Sequence, residues 1–260
     1  MNIEEIKIQP TWSRSKEEIW AEKFAGLEEE KGNRVPFYKR TLFRYISVAA
    51  ILLILLPSVA FLYTKEVAVP KGTHYALTFP DGSQATINAE SKLTYKPLWW
   101  RLSREVRLNG EAYFQVEKGN KFKVHASRGT VTVLGTSFNV FTRSARYEVA
   151  CLSGKVKVDS DNQSVVLTEG MQTVFKEGVL QAVNNEEIMQ KIGWTNNRFI
   201  FREEPLIHVV QEIERQYDIE IIVPENMDYI YSGNFTKPDH PEEALQIIQE
   251  PFGIELKIRK

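Results

Sequence analysis

One cysteine, four histidines and a net charge of −1 over 260 residues exclude several kinds of protein at the outset. Cys151 has no second cysteine with which to close an intramolecular disulfide. It sits in an apolar stretch (Val149, Ala150, Leu152), where a buried structural thiol is expected. His74, His125, His208 and His240 lie far apart and are read as lacking zinc-ligand partners at helical spacing. Neither a metal centre nor a cofactor is therefore expected. The charge divides into +1 for residues 1–44 (nine basic, eight acidic) and −2 for residues 65–260. Neither part has the basic excess that direct nucleic-acid binding requires. G-x-S-x-G, P-loop and dinucleotide fingerprints are missing as well, and the carboxylates are scattered, so no enzyme is expected.

Charge itself is absent from one long stretch, the 20 residues from Tyr45 to Thr64, between Arg44 and Lys65. At about 1.5 Å rise per residue a helix of this length spans roughly 30 Å, the hydrocarbon thickness of a bilayer. Such a helix satisfies its own backbone in lipid and tolerates Pro57 there. A signal peptide would have a shorter apolar core and a shorter head, although Ser58-Val59-Ala60 has the small-x-small look of a cleavage site. A buried soluble helix rarely runs this long without a charge. A membrane span over 45–64 is the reading adopted. Lys39, Arg40 and Arg44 precede it, with Lys31 and Arg34 behind them, against Lys65 and Lys71 beyond. The positive-inside rule then places residues 1–44 in the cytoplasm and 65–260 across the membrane.

Residues 1–44 are too few and too charged for a core of their own. Ser15-Lys16-Glu17-Glu18 reads as a capping box, and Ile19, Trp20, Phe24 and Leu27 recur at helical spacing behind it. Gly32-Asn33 stops the helix, and Trp12 lies just upstream. An apolar stripe on a short helix points to a partner groove. The other reading, a helix lying on the inner membrane surface, fits less well because its polar face is mixed rather than basic.

Past Lys65 the pattern becomes many short alternating segments: 75–79, 84–88, 92–95, 106–108, 112–116, 122–126, 130–134, 138–142, 147–152, 156–158, 165–168, 173–175 and 179–183. Pro80-Asp81-Gly82-Ser83 and Asn109-Gly110 read as turns between them. A sandwich, a barrel or a β-solenoid all suit this spacing. Trp99-Trp100 after Pro97 is either core or edge packing or a platform for stacking carbohydrate. Several blocks here are similar to those of FecR-type anti-sigma regulators: Phe79-Pro-Asp-Gly-Ser through Tyr95, Val106-Arg-Leu-Asn-Gly-Glu-Ala-Tyr-Phe-Gln-Val116, Phe122-Lys-Val124, Val133-Leu-Gly-Thr-Ser-Phe-Asn-Val140, Leu152-Ser-Gly-Lys-Val156 and Leu167-Thr-Glu-Gly-Met-Gln172. Glu169 stands where that family usually has Pro.

After a polar, helix-tending connector (184–192), the order strand, helix, strand occurs twice: 198–201, a helix opened by Pro205, 219–223; then 232–235, 241–250 and 254–258. Two βαβ-like units make a small α+β domain of two helices on a sheet. Trp194 through Phe201, Arg215-Gln-Tyr-Asp218 and Ser232-Gly-Asn-Phe235 resemble the C-terminal domain fused to FecR modules in Bacteroidetes. Its order resembles the short signalling domain of TonB-dependent transducers and secretins. Asn197 replaces a usual Gly, and Asn also tolerates positive φ.

The resemblance implies a single-pass inner-membrane anti-sigma factor. A cytoplasmic segment (1–44) would bind an extracytoplasmic-function sigma factor through Trp12, Ile19, Trp20, Phe24 and Leu27. After the helix (45–64) would come a periplasmic β-rich domain (65–183), β-solenoid- or sandwich-like, and an α+β C-terminal domain (184–260). The last would meet an outer-membrane TonB-dependent transducer by strand addition along Phe199, Phe201, Ile219, Ile221 and Val223. Envelope proteases would carry the output. A membrane-anchored periplasmic glycan-binding module is the alternative. In some relatives the bond corresponding to Gly135-Thr136 is self-cleaved through the Thr hydroxyl; the residues themselves favour a bulge or turn at Gly135.

Overall fold

The computed structural model describes residues 13–24, 37–143, 146–161, 163–176, 179–224 and 227–259. Two units are distinguished, Met1–Leu56 and Pro57–Lys260. In the first, helix α1 (Lys16–Phe24) starts where the capping box places it. The Glu18 N–H donates to Ser15 Oγ at 3.2 Å, and the Ser15 N–H donates to Glu18 Oε2 at 3.1 Å. These reciprocal bonds satisfy donors that a helix start leaves unpaired. Helix α2 (Phe37–Leu62) follows, 26 residues with Pro57 inside. Within its stretch Thr41–Leu62 the most apolar 18 residues have a mean hydropathy of 2.5 and none of them is buried, so the stretch is long and apolar enough to cross a membrane.

The β-rich body opens with β1 (Lys65–Val69), a strand the sequence pattern missed, then β2 (Tyr75–Thr78), β3 (Gln84–Ile87) and β4 (Ser91–Tyr95). Next come β5 (Arg104–Gln115), β6 (Phe122–Ala126), β7 (Gly129–Val133), β8 (Ser137–Arg143) and β9 (Arg146–Ser153). It ends with β10 (Lys155–Ser160), β11 (Gln163–Thr168), β12 (Met171–Lys176) and β13 (Val179–Asn184). Asn109-Gly110 is not a turn. It lies within β5, a 12-residue strand that changes partners there. Residues 104–109 pair with β4 and, in parallel, β6; residues 110–115 pair with β3 and β8. Gly110 adopts φ +112°, and a Cβ on it would lie 2.8 Å from the Ser91 Cα, which explains why a glycine occupies the crossing point.

β5 thereby joins two layers, β11-β10-β7-β6-β5-β4-β1 and β2-β3-β5-β8-β9-β12-β13. A nearly closed sheet results. The described pairs are antiparallel apart from β5 with β6, which rules out the stacked parallel coils of a β-solenoid. One apolar core fills the space between the layers, centred on Phe79, Trp100, Phe114, Phe122 and Phe138. Phe79 stacks on Trp100 at 4.8 Å between ring centroids, and Phe114 on Phe138 at 5.1 Å. The Pro80–Ser83 turn is held from inside. Asp81 accepts from Ser83 Oγ (2.8 Å) and Arg104 Nη1 (2.6 Å), while Gly82 takes φ +87°. Burial works against ionisation of Asp81, but these donors outweigh it and keep its carboxyl below the usual range.

A 3₁₀ segment (Ile188–Asn196) leads to β14 (Arg198–Pro205), α3 (Leu206–Tyr217), β15 (Ile221–Ile222), β16 (Ile230–Thr236), α4 (Pro241–Gln249) and β17 (Lys257–Ile258). Asn197 adopts φ +53°, as its substitution for glycine allows. The double strand-helix-strand order is as expected; the single sheet is not. β14 pairs only with β16 and β15 only with β17, two separate antiparallel ladders among the described strands. α3 and α4 bury Leu206, Val209, Val210, Ile213, Ala244, Leu245 and Ile248 in a second core.

Candidate functional site

Two regions concentrate features that packing does not explain. The first is α1. Trp20 and Phe24 are 56% and 44% exposed, four residues apart, with stacked rings 4.4 Å between centroids. Ile19 beside them is half-buried. Trp12 and Leu27, the other members of the expected stripe, lie outside the described residues.

The second region is the outer face of the layer containing β8 and β9. Glu111, Asn139, Phe141, Arg143, Arg146 and Glu148 alternate with core residues, as a solvent-facing row does. Here β14 and α3 lie over the row and line with it a half-open pocket of about 130 Å³. Glu111 is 6% exposed and accepts from Asn88 Nδ2 and Asn139 Nδ2, both at 2.8 Å. Gln216 of α3 donates to Asn88 Oδ1 (2.7 Å) and Glu212 Oε1 (2.9 Å), linking the two carboxylates by hydrogen bonds. His74 completes the chain at 2.9 Å from Gln216 Oε1. Burial, then repulsion from Glu212, pushes the Glu111 carboxyl up to about 7. Burial also opposes ionisation of Glu212, but Arg215 and Arg143 overcome it and hold that carboxyl low. Glu111 therefore holds its proton to a higher pH than Glu212 does.

A second set of ion pairs lies alongside. Arg146 donates to Glu204 (2.5 Å) and Glu148 (2.7 Å), Lys191 reaches Glu148 at 2.8 Å, and His208 meets Glu204 at 2.7 Å. Burial disfavours the Glu148 charge, but Lys191 and Arg146 outweigh it and lower its carboxyl to about 2. Glu204 and Glu212 thus stand at helical spacing from His208, which corrects the reading of the histidines as lacking such neighbours. Glu204 is satisfied by Arg146, and among the described residues no group of His, Cys, Asp and Glu could hold a metal ion.

The remaining expected residues fall as follows. Phe199 and Ile221 are buried in the second core; Phe201 and Ile219 pack against it, and Val223 is 37% exposed. Trp100 is 2% exposed, so Trp99 and Trp100 do not together form a platform for stacking a sugar. Cys151 is fully buried, with burial pushing its thiol up to about 11. Gly135 has φ +152°, and a Cβ there would lie 2.8 Å from the Lys118 Cα. Thr136 is 5% exposed and directs its hydroxyl proton at the Lys155 carbonyl (3.1 Å), a poor base.

Together these define a scaffold of two cores with a charged internal junction, preceded in the chain by an apolar helix and a helix with exposed aromatics. The FecR protein model matches residues 65–157, and the FecR, C-terminal model matches residues 198–260. The chain belongs to the FecR family. Two crystal structures of a candidate anti-sigma factor from Parabacteroides distasonis ATCC 8503, at 2.50 and 1.65 Å resolution, are similar to it, each with TM-score 0.70 and 27% identity. They cover 76% and 75% of this chain and 99% and 95% of their own. No curated protein matches the chain.

Proposed function

We propose that the chain is a single-pass inner-membrane anti-sigma factor that relays a signal from a TonB-dependent outer-membrane transducer to an extracytoplasmic-function sigma factor. Family membership and the likeness to a candidate anti-sigma factor support the regulatory class. The observation that carries the sigma-binding part is the capped helix α1, whose stacked Trp20 and Phe24 face outward. A helix laid into a partner groove buries such a pair. In this reading residues 1–44 are cytoplasmic, α2 crosses the bilayer, and 65–183 and 184–260 are two periplasmic domains. The signal arrives at the C-terminal one by strand addition beside β15, where Ile222 and Val223 are exposed. A single helix transmits shape poorly, so proteolysis by envelope proteases is the output.

The test is co-purification of the full chain with its sigma factor. Trp20→Ala with Phe24→Ala should abolish it while the protein still inserts in membranes; undiminished co-purification would remove α1 as the docking face.

A further inference from the structure

A patch that the relay leaves unexplained lies where α2 gives way to the β-rich body. The segment Pro97–Leu102 carries Leu98 and Leu102 at 62% and 73% exposure. It is not a loose loop. Trp100 anchors it in the first core, and the Leu102 and Ser103 N–H groups both donate to the Trp99 carbonyl, at 3.0 and 3.1 Å. The two leucines are therefore displayed by a rigid turn, and water is a poor place to display them.

The turn's neighbour identifies what covers it. Trp99 meets Phe61 edge-on, with 5.4 Å between ring centroids and 82° between planes. The Lys96 ammonium lies 3.6 Å over the same ring. Phe61 belongs to the last turn of α2, inside the apolar stretch Thr41–Leu62. Trp99 thus joins the end of that apolar stretch to a turn that also displays Leu98 and Leu102. A cleft of about 900 Å³ opens beside the contact, lined by Phe61, Thr64, Tyr95, Lys96 and Trp99 among others. Half-buried Lys96 precedes the leucines and exposed Arg101 lies between them. Tryptophan at the end of an apolar span, with long cationic side chains beside it, is the composition of a membrane–water boundary, the cations meeting lipid phosphate while their stems lie along acyl chains.

From this geometry we infer that Leu98, Trp99 and Leu102 dip into the headgroup layer of the bilayer and hold the β-rich body against the membrane. The inference rests on α2 being a span. It fixes which edge of the body faces the lipid.

The experiment uses the full chain in phosphatidylethanolamine–phosphatidylglycerol vesicles. A fluorophore is attached through Leu102→Cys, with Leu53→Cys in α2 and exposed Met189→Cys as separate controls; buried Cys151 stays unlabelled. The Leu102 probe should lose emission to lipids carrying a nitroxide at the headgroup and be shielded from iodide in the water. The Met189 probe should respond to iodide alone. A Leu102 probe as open to iodide as the Met189 probe overturns the docking, and so does shielding without lipid quenching, which would indicate a protein or glycan cover. In both cases quenching of the Leu53 probe by deep acyl-chain nitroxides leaves the span intact. A Leu53 probe reached by iodide overturns the span reading and this inference with it.

Discussion

Replacing Glu111 by Gln should change how stability depends on pH more than it changes stability at pH 5. In the folded chain burial and Glu212 raise the Glu111 carboxyl from an ordinary 4.5 to about 7. A folded-state value above the unfolded one gives stability that is complete below about 4.5 and is lost as pH rises to about 7. At about 1.4 kcal/mol per pH unit, the loss totals about 3 kcal/mol. For a protein of this size it corresponds to roughly 6–12 °C in Tm. The groups around it complicate the raw profile. Burial lowers His74, which makes folding more favourable as pH rises and so opposes Glu111. Burial also lowers Arg143 and Lys237, from ordinary values far above this window. Subtracting wild type from Glu111→Gln cancels those contributions. The Gln side chain fits the site: Asn139 Oδ1 lacks a hydrogen-bond partner, and turning that amide over lets it accept from Gln. Thermal unfolding in detergent, followed by tryptophan fluorescence from pH 5 to pH 8, should show the variant gaining on wild type by about 2.5 kcal/mol, mostly below pH 7. A difference that stays flat over that window would mean that Glu111 is already ionised in the folded chain, and the account of the junction would be wrong.

Gly110→Ala should destabilise the β-rich body by about 3 kcal/mol or more, because the new Cβ meets Ser91 at a positive φ; an unchanged Tm would refute the crossing-point role. Trp100→Ala should cost about 3–5 kcal/mol in denaturant unfolding while Trp99→Ala costs much less, since only the first removes a core ring. Mass spectrometry of the purified chain should give one intact species, with the Thr136 hydroxyl tied to Lys155; fragments breaking at Gly135-Thr136 would show that this hydrogen bond does not prevent cleavage.

Local patterns were legible wherever one periodicity acted alone. The capping box at Ser15, the Pro80–Ser83 turn and the apolar face of α3 each follow from neighbouring residues, and all form where the sequence places them. Asn109-Gly110 misled because glycine serves a turn and a sheet crossing equally well, and only the positions of β3, β4, β6 and β8 distinguish them. Strand order was illegible for a related reason: alternation specifies which side of a strand is buried, never which strand lies next to it.

Composition, charge and spacing alone determined that this chain carries an apolar helix, a β-rich body and an α+β end. What only the tertiary structure decided is the fate of Glu111, Asn139, Arg143, Arg146 and Glu148. Their alternation marks them as a wet outer face; with β14 and α3 laid over that face Glu111 and Asn139 are buried, and Arg146 and Glu148 are left half-buried in ion pairs. Burial by a distant segment leaves no trace in the local pattern, because a charged side chain looks the same in sequence whether it faces solvent or an opposing arginine.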